Sequence, residues 1–173
     1  DALLHDLGYE KQFELDISNE YDGRMVQYTK QVGENDIAFE ALVDAIGCRQ
    51  TDAAWSYRYL REHSRIESLD VAEDLDGRIP EPALLFAMKL HSGRKTDARD
   101  LVVISLRSDF DRIQRHIRRG DPEKLARQIE VVLGRLEQSG FKDSFKGVFQ
   151  QEELPAAAVD SLARFLSEQR NRL

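Results

Sequence analysis

The chain reads as an α/β protein of the α+β kind, with strands in its first half and helices in its second. Three observations carry that expectation. Apolar and polar residues alternate between Phe13 and Val43, helical spacing takes over from Pro82, and 173 residues at 41% hydrophobic content suit one core with a helical appendage.

Ala2 to Leu7 followed by Gly8 has the form of a helix end with glycine just beyond it, so the expectation is an entry in mid-fold, with more of that helix before Asp1. Phe13, Leu15 and Ile17 alternate with polar neighbours, as a half-buried strand requires, and Tyr21 to Arg24 supplies hairpin-turn chemistry. Met25 to Val32 and Ile37 to Val43 continue as two more strands of a three-stranded meander. Gly47 to Asp52 reads as a loop in which Thr51 or Asp52 caps a short aromatic helix over Ala53 to Leu60. A further strand is expected from Arg65 to Leu69, with Asp74 to Gly77 as a turn.

Pro80 and Pro82 sit where a helix start tolerates proline. Leu84, Leu85, Met88 and Phe86 then form a buried stripe, and a second helix from Asp97 to Leu106, with Leu101, Val102, Ile104 and Leu106 too apolar for a surface face, pairs with the first. Phe110, Ile113 and Ile117 share one side of a short helix whose other side carries Arg112, Arg115 and Arg119. Gly120, Asp121, Pro122 and Glu123 mark one helix end and the next helix start. That helix buries Leu125, Ile129, Val132, Leu133 and Leu136 and stops near Gly140. A last helix from about Pro155 buries Val159, Leu162, Leu166 and Leu173.

Composition narrows the function classes. A single cysteine, Cys48, precludes an intramolecular disulfide and makes a reducing, cytoplasmic setting the expectation. His5, His63, His91 and His116 are scattered singly, without zinc spacing or a coupled nucleophile. No apolar run is long enough for a membrane span, and no signal-peptide pattern opens the chain. Charge is uneven: residues 1–80 carry 8 basic and 18 acidic side chains, whereas residues 81–173 carry 17 and 14.

Charge is densest from Lys89 to Leu101, where five basic residues, His91 among them, share thirteen positions with Asp97 and Asp100. Ile79-Pro80-Glu81-Pro82 leading to Lys89, then Arg94-Lys95, then Arg99-Asp100-Leu101, resembles the AbiEii-type nucleotidyltransferase-fold family, which includes toxins of toxin–antitoxin pairs. Ala2 to Tyr9 is similar to a helix and Gly-aromatic step of those proteins, and the likeness covers about residues 1–106. It implies a mixed sheet of the nucleotidyltransferase type over 1–106 and a C-terminal helical region over 107–173. It further implies transfer of a nucleotide from an NTP to an RNA or protein acceptor, with Mg²⁺ as cofactor and an antitoxin as a partner.

The chain departs from the family in one respect. The Gly-Gly or Gly-Ser turn and the two alternating acids that follow it, which hold Mg²⁺ from one strand face, are not found. Asp74/Asp76 reads as a turn and Asp109/Asp111 as a helix start. By the family's order those acids would lie upstream of Asp1; otherwise the domain is an inactive interaction or regulatory module on the same scaffold. Glu40 is the candidate for the third, metal-binding and catalytic acid, or is simply the exposed face of a strand; Asp36 and Asp44 sit at that strand's ends. Lys89, Arg94 and Lys95 are the candidate nucleotide-binding cations. Lys89 could equally pair with Asp97 or Asp100 to tie two helices, which makes Asp97, Arg99 and Asp100 orienting residues. The arginines from Arg107 to Arg119 offer an RNA-contacting patch or a solvated helix face.

Overall fold

The computed structural model describes residues 2–18, 20–68, 76–149 and 155–173. It is an α+β protein with small sheets and two compact units, one of residues 1–47 and 54–60, the other of residues 48–53 and 61–173. The expected division after residue 106 falls inside the second unit, because the helices on either side of it pack together.

In the first unit, α1 (Ala2–Asp6) ends where Gly8 N–H donates to the His5 carbonyl and Tyr9 N–H to that of Leu4. Three strands follow, β1 (Glu10–Ser18), β2 (Gly23–Val32) and β3 (Asn35–Val43), joined as an antiparallel meander in the order β1-β2-β3. The register sets Tyr28 opposite Phe39 and Met25 opposite Leu42. Only the central strand is well covered. Val26 and Tyr28 are buried, whereas Phe13, Leu15, Ile37 and Phe39 on the flanking strands remain exposed.

β4 (Ala45–Cys48) and β5 (Ala53–Ser56) form a two-stranded sheet, which corrects the helix expected over Ala53 to Leu60. Ala53, Ala54 and Trp55 are all buried, and three consecutive buried residues suit a strand covered on both faces better than one helical stripe. Asp52 turns the chain with a left-handed φ of 56°. The helix is limited to α2 (Tyr57–Glu62), and its cap is Ser56, whose hydroxyl accepts from Tyr59 N–H at 3.2 Å.

The second unit contains an antiparallel hairpin of β6 (Ser64–Ser68) and β7 (Asp76–Pro80). Leu69, and Asp74 and Leu75 of the expected turn, lie outside the described residues. The strand pairs β1-β2, β2-β3 and β6-β7 are antiparallel, so a mixed sheet is not what these pairs form. Among the described residues six helices follow: α3 (Pro82–Ser92), α4 (Asp97–Ser105), α5 (Phe110–Ile117), α6 (Pro122–Leu136), α7 (Phe141–Phe149) and α8 (Ala156–Arg170). Leu84, Phe86, Ala87 and Leu90 of α3 are fully enclosed, and α3 packs on α4, α5 and α6 while α6 packs on α8. Phe165 of α8 stacks on Phe110 at 4.4 Å and meets Phe86 edge-on.

Helix starts follow the expected chemistry where a short acid precedes the helix. Asp109 accepts from Asp111 N–H, and Asp121, ahead of Pro122, accepts from Lys124 N–H at 2.9 Å. Gly120 is required for two reasons. Its φ is +67°, and a Cβ there would lie 2.2 Å from the Thr51 carbonyl oxygen. Two core expectations are corrected: Leu106, past the end of α4, is 60% exposed and Leu173 is 41% exposed.

Candidate functional site

Two polar clusters stand out in the second unit. The first is the segment that the charge pattern singled out. α3 ends at Gly93, which takes a left-handed φ of 53°. The loop after it is held from both sides. Arg94 N–H donates to the Asp97 carboxylate at 2.8 Å, and the Arg135 guanidinium of α6 donates to the carbonyls of Gly93 at 2.6 Å and Arg94 at 2.8 Å. Lys89, one turn before the end of α3, places its ammonium 3.2 Å from Asp97 and 2.6 Å from Asp100 on α4.

Asp97 is buried and Lys89 half-buried. Burial works to lower the Lys89 pKa, but the hydrogen bonds to Asp100 and Asp97 outweigh it, and the net shift is upward. Lys89 therefore stays charged across the neutral range. Arg99 turns away from this cluster, donating to the carbonyl and hydroxyl of Ser144 on α7. Arg94 and Lys95 project from the fixed loop as exposed cations, and among the described residues neither forms an ion pair.

Glu40 lies in the first unit, exposed on β3, where Gln27 Nε2 of β2 donates to its carboxylate at 3.2 Å. Among the described residues it joins no group of three side chains able to hold a metal ion. Asp36 and Asp44 are exposed as well, and Asp44 directs its carbonyl to Tyr57 N–H. The structure thus brings Lys89, Asp97 and Asp100 together and leaves Glu40 as a residue of a solvated strand face.

The second cluster brings together residues far apart in the chain. His63, just before β6, accepts Glu81 N–H on its own carbonyl at 2.8 Å. Its Nδ1 lies 3.1 Å from Glu81 Oε1, and His116 Nε2 on α5 lies 3.0 Å from the same oxygen. Arg112, one turn earlier on α5, donates to Glu81 Oε2 at 3.1 Å. The two imidazoles meet edge to face with centroids 4.8 Å apart. Burial, and next the neighbouring His63, push the His116 pKa down against the pull of Glu81. Glu81 and His63 open onto a cavity of about 340 Å³, also lined by Arg65, Arg107 and Arg112.

Sequence spacing could not assemble this cluster, because its members stand 18 and 35 residues apart. The available signals were an acid set between two prolines at the mouth of an apolar helix, and a histidine three residues after Ile113 on the buried side of α5. The arginine series also divides. Arg107, Arg112, Arg115 and Arg118 are exposed, and Arg112 pairs with Glu81. No protein-family model, no curated protein and no solved structure matches the chain.

Proposed function

We propose that this chain is a nucleotidyltransferase-type protein whose α3–α4 loop receives the phosphates of an NTP. The observation that supports this reading is the construction of the loop. Asp97 and Arg135 fix its backbone, so Arg94 and Lys95 are offered to solvent from a rigid support, beside a Lys89 whose charge two carboxylates maintain. Preset cations bind a polyanion without the ordering cost that flexible side chains on a mobile loop would incur. In this role Arg94 and Lys95 contact phosphate oxygens, Asp97 shapes the loop, and Asp100 orients Lys89. The acceptor would be an RNA or a protein, and an antitoxin would be the natural regulatory partner.

Mg²⁺ supplies the charge neutralisation that nucleotidyl transfer needs, through carboxylate oxygens. Glu40 alone does not provide that donor set, since among the described residues it belongs to no group of three side chains able to hold a metal ion. No step through Mg²⁺ follows from this chain's own residues. A second reading, a catalytically inactive interaction module, is favoured by the way Asp97 and Asp100 already engage Lys89.

Equilibrium binding of a fluorescent ATP analogue separates the two. The nucleotide-binding reading expects saturable binding that weakens by about tenfold in the double variant Arg94→Ala/Lys95→Ala, two lost solvent-exposed ionic contacts being worth together on the order of 1–2 kcal/mol. Absence of saturable binding to wild-type protein, or identical affinity in the variant, supports the inactive module instead.

A further inference from the structure

We propose that His63, Glu81 and His116 form a binding site for one divalent transition-metal ion of the zinc type. His63, Glu81 and His116 come from three separate parts of the chain, yet one ligand atom from each lies within 4.8 Å of the other two. The two histidine nitrogens are 3.1 and 3.0 Å from the one carboxylate oxygen. Ligand atoms around a tetrahedral zinc ion, with bonds of about 2.0–2.2 Å, stand about 3.3 Å apart. The two nitrogen–oxygen separations therefore need open by only a few tenths of an ångström, while the two histidine nitrogens, up to 4.8 Å apart, draw together by up to about 1.5 Å through side-chain rotation to seat the ion.

Each ligand is held by its surroundings. Pro80 and Pro82 bracket Glu81 at the start of α3, and its N–H is bonded to the His63 carbonyl. His116 is fixed on the buried face of α5 between Ile113 and Ile117. Arg112 occupies Oε2 and leaves Oε1 as the oxygen shared with the histidines, which is the usual task of a group behind a metal ligand.

Two imidazoles and one carboxylate suit zinc, cobalt, nickel or ferrous ions and not Mg²⁺, which takes oxygen ligands. Because Glu81 and His63 line the 340 Å³ cavity, a fourth coordination position would open towards Arg107 and Arg112, where an anionic ligand or water could enter. The site stands apart from the nucleotide-binding reading, and no residue is shared between them.

Cobalt(II) titration of chelator-treated full chain tests the assignment. Expected are one equivalent of Co²⁺ with visible ligand-field bands, displacement by Zn²⁺ and indifference to excess Mg²⁺. His63→Ala, at a partly exposed position, should weaken binding by about tenfold or more while far-ultraviolet circular dichroism stays unchanged. Glu81→Gln gives a second reading should His63→Ala disturb the fold. No saturable binding to the wild type, or equal affinity in wild type and both variants, overturns the proposal. None of these readouts depends on nucleotide binding.

Discussion

His91 shows how one buried side chain sets a pH response. Its Nε2 lies 2.8 Å from the Ile117 carbonyl, which can only accept, so Nε2 carries the proton and Nδ1 accepts from the Thr51 hydroxyl at 2.7 Å. Burial depresses the pKa to about 4 from an ordinary value of 6.5. The unfolded chain therefore takes up a proton first as pH falls. The stability associated with neutral His91 is complete above pH 6.5 and drains away towards pH 4, by about 3 kcal/mol in all. Urea unfolding at steps between pH 7 and pH 4 should show that decline, and His91→Gln should flatten it. The same slope in the variant would assign the pH response elsewhere. Nothing in the sequence marks His91 as a core hydrogen-bonding residue, since it lies within a charged stretch.

At the scale of elements, the legible parts are those with local punctuation. The meander was readable because alternation and Gly-containing turns coincide, and α6 because Asp121, Pro122 and the apolar stripe from Leu125 to Leu136 agree. Asp121→Ala should cost about 1 kcal/mol by urea denaturation, the ordinary value of a lost cap. Gly120→Ala should cost more, about 3 kcal/mol, because the backbone of Thr51 and Ala53 blocks the new methyl group; a change below 1 kcal/mol would contradict that packing. α7 was not legible. Its stripe of Phe141, Phe145 and Phe149 is one residue wide and interrupted by Gly147, with lysines between. The strand β5 was hidden for the opposite reason: its Ala-Ala-Trp run has no alternation, and only burial on both faces distinguishes it from a helix.

For the whole molecule, the chain concentrates acid in residues 1–80 and carries net positive charge beyond, and both polar clusters fall in the second unit. The Lys89–Asp97–Asp100 cluster was legible as a group of interacting charges because they are close in sequence. The Glu81 cluster was not, because tertiary packing alone unites it. Within this account the nucleotide is held by basic side chains on a fixed loop, so its affinity should fall steeply as salt is raised from 0.05 to 0.2 M, roughly the range over which the Debye length shrinks below 10 Å.

In the proposed function, the α3–α4 loop is where phosphate binds. Backbone amide chemical shifts of the full chain titrated with Mg-ATP test it most directly. Saturating shifts at Arg94, Lys95 and their loop neighbours, lost in Arg94→Ala/Lys95→Ala, are the expected result. Shifts confined to other elements, or none at any concentration, would contradict it.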